Sequence, residues 1–186
     1  NAFKLNEDIV IPLHKLPEFA DFIEQLNYEK EITNSLSAIT KIENYLSELS
    51  GQSEVEYPHE RMVSYLSRIQ KIKGDYNRFH TNLTSEDISK QFEGVNSFLR
   101  KLQSREIVID FEEEIKKHYL QTFSGYENIL SELNKISKGE LSRKIIIATH
   151  MHAGDGNVHV NIPVHSSDYL MMREADEAAS IIMRRA

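Results

Sequence analysis

Apolar residues recur along the chain with two different periods. Residues 4–12, 144–152 and 158–164 alternate or cluster as β-strands do, with β-branched residues prominent. Residues 16–139 and 168–185 instead repeat apolar positions every three or four residues, which is typical of amphipathic helices. The expected order of elements is therefore strand, helices, strand, strand and helix.

This order predicts a helix-rich α+β fold. Without the helical region the elements run β-α-β-β-α, which is a ferredoxin-like unit that lacks its last strand. We expect residues 1–15 and 140–186 to form this incomplete ferredoxin-like cap subdomain, with residues 16–139 inserted between its strands as a helical bundle region. A sheet that lacks one strand has an unpaired position, so association into a homo-oligomer is a further hypothesis.

The helical region is expected to contain four helices, each with one apolar stripe. They run from Pro17 to Gly51, from Pro58 to Gly74 or beyond, from Thr84 with Asp87 as an approximate capping box, and from Val108 to Gly139. The region carries no chemical motif. Its single histidines are interpreted as surface residues: His59, His80 and His118. For the closing helix, Ser167 is the expected N-cap.

A short run before the closing helix contains three histidines and is predicted to form a β-hairpin. Asp155-Gly156 accepts positive φ angles and favours a two-residue turn. With that turn His152 lies opposite His159, and His150 lies opposite Asn161. A four-residue loop from Gly154 to Asn157 would preserve this pairing. Because side chains alternate along a strand, all four point to the same, polar face of the hairpin.

Imidazoles on facing strands can bind one divalent metal ion. Their Cβ atoms are roughly 5 Å apart, and both rings can reach an ion at about 2.0–2.1 Å. A catalytic metal site needs a third protein ligand and an open position, and the hairpin supplies no obvious third ligand. Spacing alone therefore leaves two interpretations open, a metal site and a polar exposed hairpin without a ligand.

Two segments resemble a known family. The run from His152 to Asn161 closely resembles the H-x-G-D-G-N-x-H-x-N signature of FAD-linked oxidases of the vanillyl-alcohol-oxidase type, in the branch that contains dehydrogenases of D-lactate, glycolate and D-2-hydroxyglutarate. Lys4–Pro12 is similar to the strand that opens the substrate-side cap domain of those enzymes. Leu5–Asn27 is particularly similar to very large bacterial D-lactate dehydrogenase-like flavoproteins that also carry iron–sulfur modules.

The resemblance implies roles for individual residues. It makes His152 and His159 ligands of a divalent metal, with zinc the expected ion, and it makes Asn161 a substrate contact. Asn6 stands where relatives that act on hydroxyglutarate have a substrate-binding lysine, so Asn6 is a second substrate-binding candidate, and Lys4 has the same strand parity. His150 is either a neighbour of the metal site or a plain strand histidine.

The resemblance also implies a flavin. The turn residues expected to face FAD are Gly154, Asp155, Gly156 and Asn157. The family binds FAD mainly through a domain that precedes the cap, and it takes its third metal ligand and its catalytic base from a Glu-His-Gly motif that follows. Neither is found in this sequence. The isolated chain is therefore expected to have no turnover.

Composition restricts the function further. The net charge is −7, with 29 acidic against 22 basic residues, and there is no cysteine. An acidic chain without a basic stripe is a poor candidate for binding nucleic acid, and no thiolate site is available. No apolar run approaches the roughly 20 residues of a membrane helix, and no signal peptide is recognised. The expected location is the cytoplasm, with peripheral contact at the inner face of the membrane left open for a full-length protein.

The resemblance, with which the composition is compatible, implies the substrate-side cap of an FAD-dependent enzyme that oxidises a D-2-hydroxyacid, with D-lactate as the first candidate. The expected partners are that small molecule and the flavin domain of the same polypeptide. Two alternatives remain. One is a metal-binding or helical interaction module without redox activity, and the other is a flavoenzyme of the same family that acts on another alcohol or an amine.

Overall fold

The computed structural model describes residues 2–51, 58–84, 97–152 and 154–186, with side chains from residue 5 onward. The protein is a helix-rich α+β fold, as predicted. Its strands are β1 (Ala2–Val10), β2 (Ala148–His152) and β3 (Asn157–His165). Its helices are α1 (Leu16–Ser50), α2 (His59–Thr84), α3 (Ser97–Gln103), a π-helical turn (Glu112–Lys116) that continues into α4 (Lys117–Thr122), α5 (Glu127–Leu141) and α6 (Tyr169–Arg185).

The three strands form one antiparallel sheet in the order β1-β3-β2. This is the order of a ferredoxin-like unit without its last strand. One face of the sheet is apolar and covered, because every second residue of β3 is buried against the start of α1 and against α6. No element in the described part of the chain covers the opposite face, where polar side chains such as Asn6, His159 and Asn161 lie. The alternation of the sequence therefore separates a core face from an open face.

The predicted hairpin register is wrong by two residues. His150, not His152, pairs with His159, His152 pairs with Asn157, and Ala148 pairs with Asn161. The chain reverses between the end of β2 at His152 and the start of β3 at Asn157, a longer connection than the predicted two-residue Asp155-Gly156 turn. Because side chains have a period of two, a shift of two residues keeps each one on its predicted face. The three histidines and Asn161 consequently still share the open face.

One predicted helix extends beyond its predicted glycine, and another is interrupted. The second helix, predicted to end at Gly74 or beyond, continues to Thr84, because a glycine within a helix weakens it without ending it. The predicted fourth helix is interrupted between Thr122 and Glu127, where Gly125 takes a φ of 90° that an α-helix cannot accommodate. Val108 lies outside it and is exposed.

The predicted start of the third helix, including Asp87, lies outside the described residues, and α3 is its described part.

The N-cap of α6 is Asp168, not the neighbouring Ser167. The Asp168 carboxylate accepts a hydrogen bond from the Met171 backbone N–H at 3.1 Å. This backbone hydrogen bond outweighs the effect of burial, and with the nearby Arg143 guanidinium it holds the pKa of Asp168 below its ordinary value. A carboxylate at this position also favours the positive end of the helix dipole, which a serine hydroxyl does less well.

The buried residues form two clusters that α1 joins. Phe19, Ile23 and Leu26 of α1 pack with the sheet and α6, while Ile32 and the residues beyond it pack with α2 to α5. The change of partner occurs within one unbroken helix, so residues after the predicted boundary at 15/16 belong to the core of the sheet. The assignment of 1–15 with 140–186 as one unit and 16–139 as another stays a prediction.

A charged contact connects α1 and α2 in the helical cluster. The Glu43 carboxylate accepts hydrogen bonds from Lys73 at 2.7 Å and Gln70 at 3.0 Å. The Lys73 hydrogen bond is the largest cause that holds the pKa of Glu43 below its ordinary value; burial opposes it and Gln70 adds to it. With a lowered folded-state pKa, the contact stabilises the fold above the ordinary carboxyl pKa of about 4.3, and this is lost as pH falls through the folded value.

We therefore expect Glu43→Gln to lower the free energy of unfolding by about 0.5–1 kcal/mol at neutral pH. Urea unfolding repeated at acidic pH should show a smaller difference from the wild type, since protonation of the carboxylate removes the contact. Glu48→Gln, at an exposed position of the same helix, is the matched control and should change little at either pH. A deficit of the same size at both pH values would contradict this account.

Candidate metal centre on the open face of the sheet

Three imidazoles lie together on the open face of the sheet. The ring centroids of His150 and His152 are 4.9 Å apart, those of His152 and His159 are 5.5 Å apart, and those of His150 and His159 are 6.3 Å apart. His150 and His152 lie two residues apart on β2, whereas His159 lies on β3. Antiparallel pairing of His150 with His159 is what brings the three rings together.

A ring spacing of this kind is compatible with metal binding. Imidazoles that ligate one ion tetrahedrally, with metal–nitrogen distances of about 2.0–2.1 Å, have centroids about 5 Å apart. The contacts of His152 with both other rings are close to that value. Within the described part of the chain, no group of three or more histidine, aspartate or glutamate side chains is arranged to hold a metal ion. His152 and His159 thus fit a pair of ligands and leave the other coordination positions open.

Asp8 is a site residue that the sequence analysis did not identify as one. It pairs with His159 in the β1–β3 ladder, and its carboxylate Oδ1 lies 2.5 Å from His159 Nδ1. The Asp8 side chain is 71% exposed and that of His159 is 37% exposed. The available signal was the alternation of Asn6 and Asp8 along β1, which matches that of His159 and Asn161 once the two strands pair antiparallel.

The two substrate-binding candidates lie next to each other. Asn6 on β1 is the direct partner of Asn161 on β3, and both side chains belong to the open face. Asn161 is two residues from His159 along the strand, so the pair of amides lies beside the imidazoles. An amide group offers both a hydrogen-bond donor and an acceptor, which suits a carboxylate or a hydroxyl group. The roles themselves stay predictions.

The turn after His152 is held by its own backbone. The N–H groups of Asp155 and Gly156 both donate to the His152 carbonyl, at 3.2 and 3.0 Å, and the Asp155 carboxylate accepts from the Asn157 N–H at 3.0 Å. Gly156 has a φ of 75°, and its carbonyl accepts from the Ile11 N–H at 2.8 Å. The turn is therefore fixed against the end of β1. Gly154, Asp155, Gly156 and Asn157 stay predicted flavin contacts.

The histidines of the helical region lie apart from this face. His59 is exposed, whereas His80 and His118 are half-buried, so the expectation of surface residues is too simple for the latter two. His118 Nε2 on α4 accepts a hydrogen bond from the Arg68 guanidinium on α2 at 2.7 Å. Burial and the Arg68 charge hold the pKa of His118 below its ordinary value. His165 is exposed at the far end of β3.

Comparison of this chain with models of protein families, with curated proteins and with solved structures gives no match. Among the described residues, no helix has the length and apolar character needed to cross a membrane.

Proposed function

We propose that this chain forms the substrate-side cap of an FAD-dependent oxidoreductase that oxidises a D-2-hydroxyacid, with D-lactate as the first candidate. The observation that carries the proposal is the open sheet face on which three imidazoles, Asn6 and Asn161 lie together. The resemblance of the hairpin to the H-x-G-D-G-N-x-H-x-N signature supports the reaction class.

In this proposal each group on the face has a task. His152 and His159 bind a divalent ion, for which zinc is the first candidate because neutral imidazole is one of its preferred ligands. The ion supplies Lewis-acid chemistry by polarising the hydroxyl and carboxylate of the acid. Asn6 and Asn161 orient the substrate carboxylate through their amide groups. The flavin domain of the same polypeptide would bind FAD, and the turn Gly154–Asn157 would contribute contacts to the flavin.

The metal site can be tested on the chain as it stands. Calorimetric titration with zinc should show one site, and His152→Ala or His159→Ala should weaken the affinity tenfold or more because each removes a ligand. His165→Ala is the matched control. It lies on the same strand and the same face as His159, roughly 20 Å away. A wild-type chain that binds no zinc, or an equal loss with His165→Ala, would contradict the metal site.

The redox role needs a polypeptide that contains this chain together with a flavin domain. Anaerobic addition of D-lactate should bleach the visible flavin absorption, and His159→Ala should abolish or slow the bleaching. A flavin that stays oxidised with D-lactate but is bleached by another 2-hydroxyacid would correct the substrate. Zinc binding without any bleaching across such acids would favour a metal-binding module without redox activity.

A further inference from the structure

The contact between Asp8 and His159 specifies which nitrogen of the ring remains free. Asp8 Oδ1 and His159 Nδ1 are within hydrogen-bond distance of each other. An ionised carboxylate can only accept a hydrogen bond, so Nδ1 carries the proton. In the neutral ring Nε2 then has the lone pair, and Nε2 is the atom available to a metal ion.

The strand register holds Asp8 in place for this contact. Asp8 and His159 are direct partners in an antiparallel ladder, where facing Cβ atoms are about 4.5–5.5 Å apart. His150 faces His159 from the other side, in β2. The ring of His159 therefore has a carboxylate on one flank and the imidazoles of His150 and His152 on the other. A side chain in the middle strand of this sheet is positioned from both neighbours.

The contact between Asp8 and His159 is expected to add little to the free energy of unfolding. With side chains 71% and 37% exposed, an Asp–His pair is well hydrated. Exposed ion pairs contribute little to folding, and many contribute nothing measurable. By contrast, histidines that ligate metals almost always donate their other N–H to a carboxylate, a carbonyl or water, which fixes the tautomer and raises the basicity of the ligating nitrogen.

We infer that Asp8 is a positioning residue that holds His159 as the Nδ1–H tautomer and so presents Nε2 to the metal ion. The metal part of this inference rests on the proposed function, whereas the tautomer part does not. Asp8 acts through His159, and the ligand set described above is unchanged.

The tautomer can be measured first, without metal. Long-range ¹H–¹⁵N correlation spectra of the ¹⁵N-labelled chain at alkaline pH distinguish Nδ1–H from Nε2–H. We expect Nδ1–H for His159. In Asp8→Ala the ring should shift towards Nε2–H, which free histidine prefers in water. Asp8→Asn should lie between, because an amide can either accept from Nδ1–H or donate to bare Nδ1.

The matched control is Asp176→Asn, which makes the same charge change at an exposed position of α6. It should leave the His159 tautomer as in the wild type. A wild-type His159 in the Nε2–H form, or an Nδ1–H form that persists in Asp8→Ala, would overturn the inference.

Zinc affinity is the second readout. Loss of the carboxylate that orients a metal-ligating histidine typically weakens metal binding about 10–100-fold, and we expect this range for Asp8→Ala and a smaller loss for Asp8→Asn. Zinc binding that depends on His159 but not on Asp8 would overturn the inference and leave the proposed function intact. An Asp8-dependent Nδ1–H tautomer in a chain that binds no zinc would overturn the metal role of both residues, and with it the proposed function.

Discussion

Replacement of Gly156 by alanine should lower the free energy of unfolding by about 3 kcal/mol or more. A left-handed conformation alone costs an alanine roughly 1–2 kcal/mol, and Gly156 has a φ of 75°. In addition, a Cβ at this position would lie 2.2 Å from the Ile11 carbonyl oxygen, well inside van der Waals contact. The turn and the end of β1 would have to separate, and the hydrogen bond from Ile11 N–H to the Gly156 carbonyl would be lost.

Two other glycines separate the causes. Gly125 has a φ of 90°, and no atom of the described residues lies within 4 Å of its added Cβ, so Gly125→Ala should show the conformational cost alone, about 1 kcal/mol. Gly154→Ala adds a methyl group in open space without a positive φ and should change stability by less than about 0.5 kcal/mol. Urea unfolding of the three variants measures the order. Equal losses for Gly156→Ala and Gly125→Ala would show that the contact with Ile11 costs nothing.

Within the Gly-Asp-Gly run, the two glycines thus have different reasons to be there. Gly156 is required by the approach of the Ile11 carbonyl, whether or not a cofactor binds. Among the residues that the structure describes, none lies where a Cβ at Gly154 would meet it. A close approach of the flavin to the backbone at residue 154 would explain why a glycine is found at this position. The predicted flavin contact at this turn is therefore best tested at Gly154, where a loss of flavin binding cannot be attributed to a strained fold.

The second large effect is expected at Asn27. Its side-chain amide donates to the Ile147 carbonyl at 2.9 Å, and its carbonyl accepts from the Ile147 N–H at 2.8 Å. Asn27 therefore satisfies both backbone groups of a buried residue on the segment that leads into β2. Asn27→Leu should lower the free energy of unfolding by about 3 kcal/mol, because a buried polar group left without a partner costs about 1–3 kcal/mol.

The control for this substitution lies on the same helix. Asn44 is exposed on α1, and Asn44→Leu should change the free energy of unfolding by less than about 0.5 kcal/mol. Asn27→Asp keeps an acceptor for the Ile147 N–H but cannot donate to its carbonyl, so it should lie between the wild type and Asn27→Leu. Equal stability of Asn27→Leu and Asn44→Leu in urea would contradict the bridging role.

The periodicity of apolar residues predicted most of the fold, because the buried face of each helix or strand must be apolar. The alternation in β3 and the helical repeat of α1 and α6 follow from which side of each element must be apolar. The hairpin register was missed because Asp155-Gly156 can serve in a two-residue turn or within the longer reversal found here. The histidines kept their predicted face only because the error was an even number of residues.

Features that depend on distant parts of the chain were not predictable from a local pattern. Asp8 and His159 are 151 residues apart, and Asn27 and Ile147 are 120 residues apart. The local sequence shows Asp8 only as a polar residue of a strand and Asn27 only as a polar residue of a helix. Their contacts with His159 and Ile147 become visible only when the distant element is placed beside them. The break at Gly125 was missed for the opposite reason, because the apolar spacing on both sides of the glycine continues with a helical period.

The continuity of α1 has a mechanical consequence for any larger protein that contains this chain. A helix of 35 residues is about 50 Å long, and its two halves belong to different cores, with the Asn27 bridge near the point where they meet. Helices of this length bend gently and do not fold back without a break. A displacement of α2 to α5 would therefore tilt α1 as one rigid element and move the sheet that carries the histidines. The Asn27–Ile147 contact lies where this tilt would pivot.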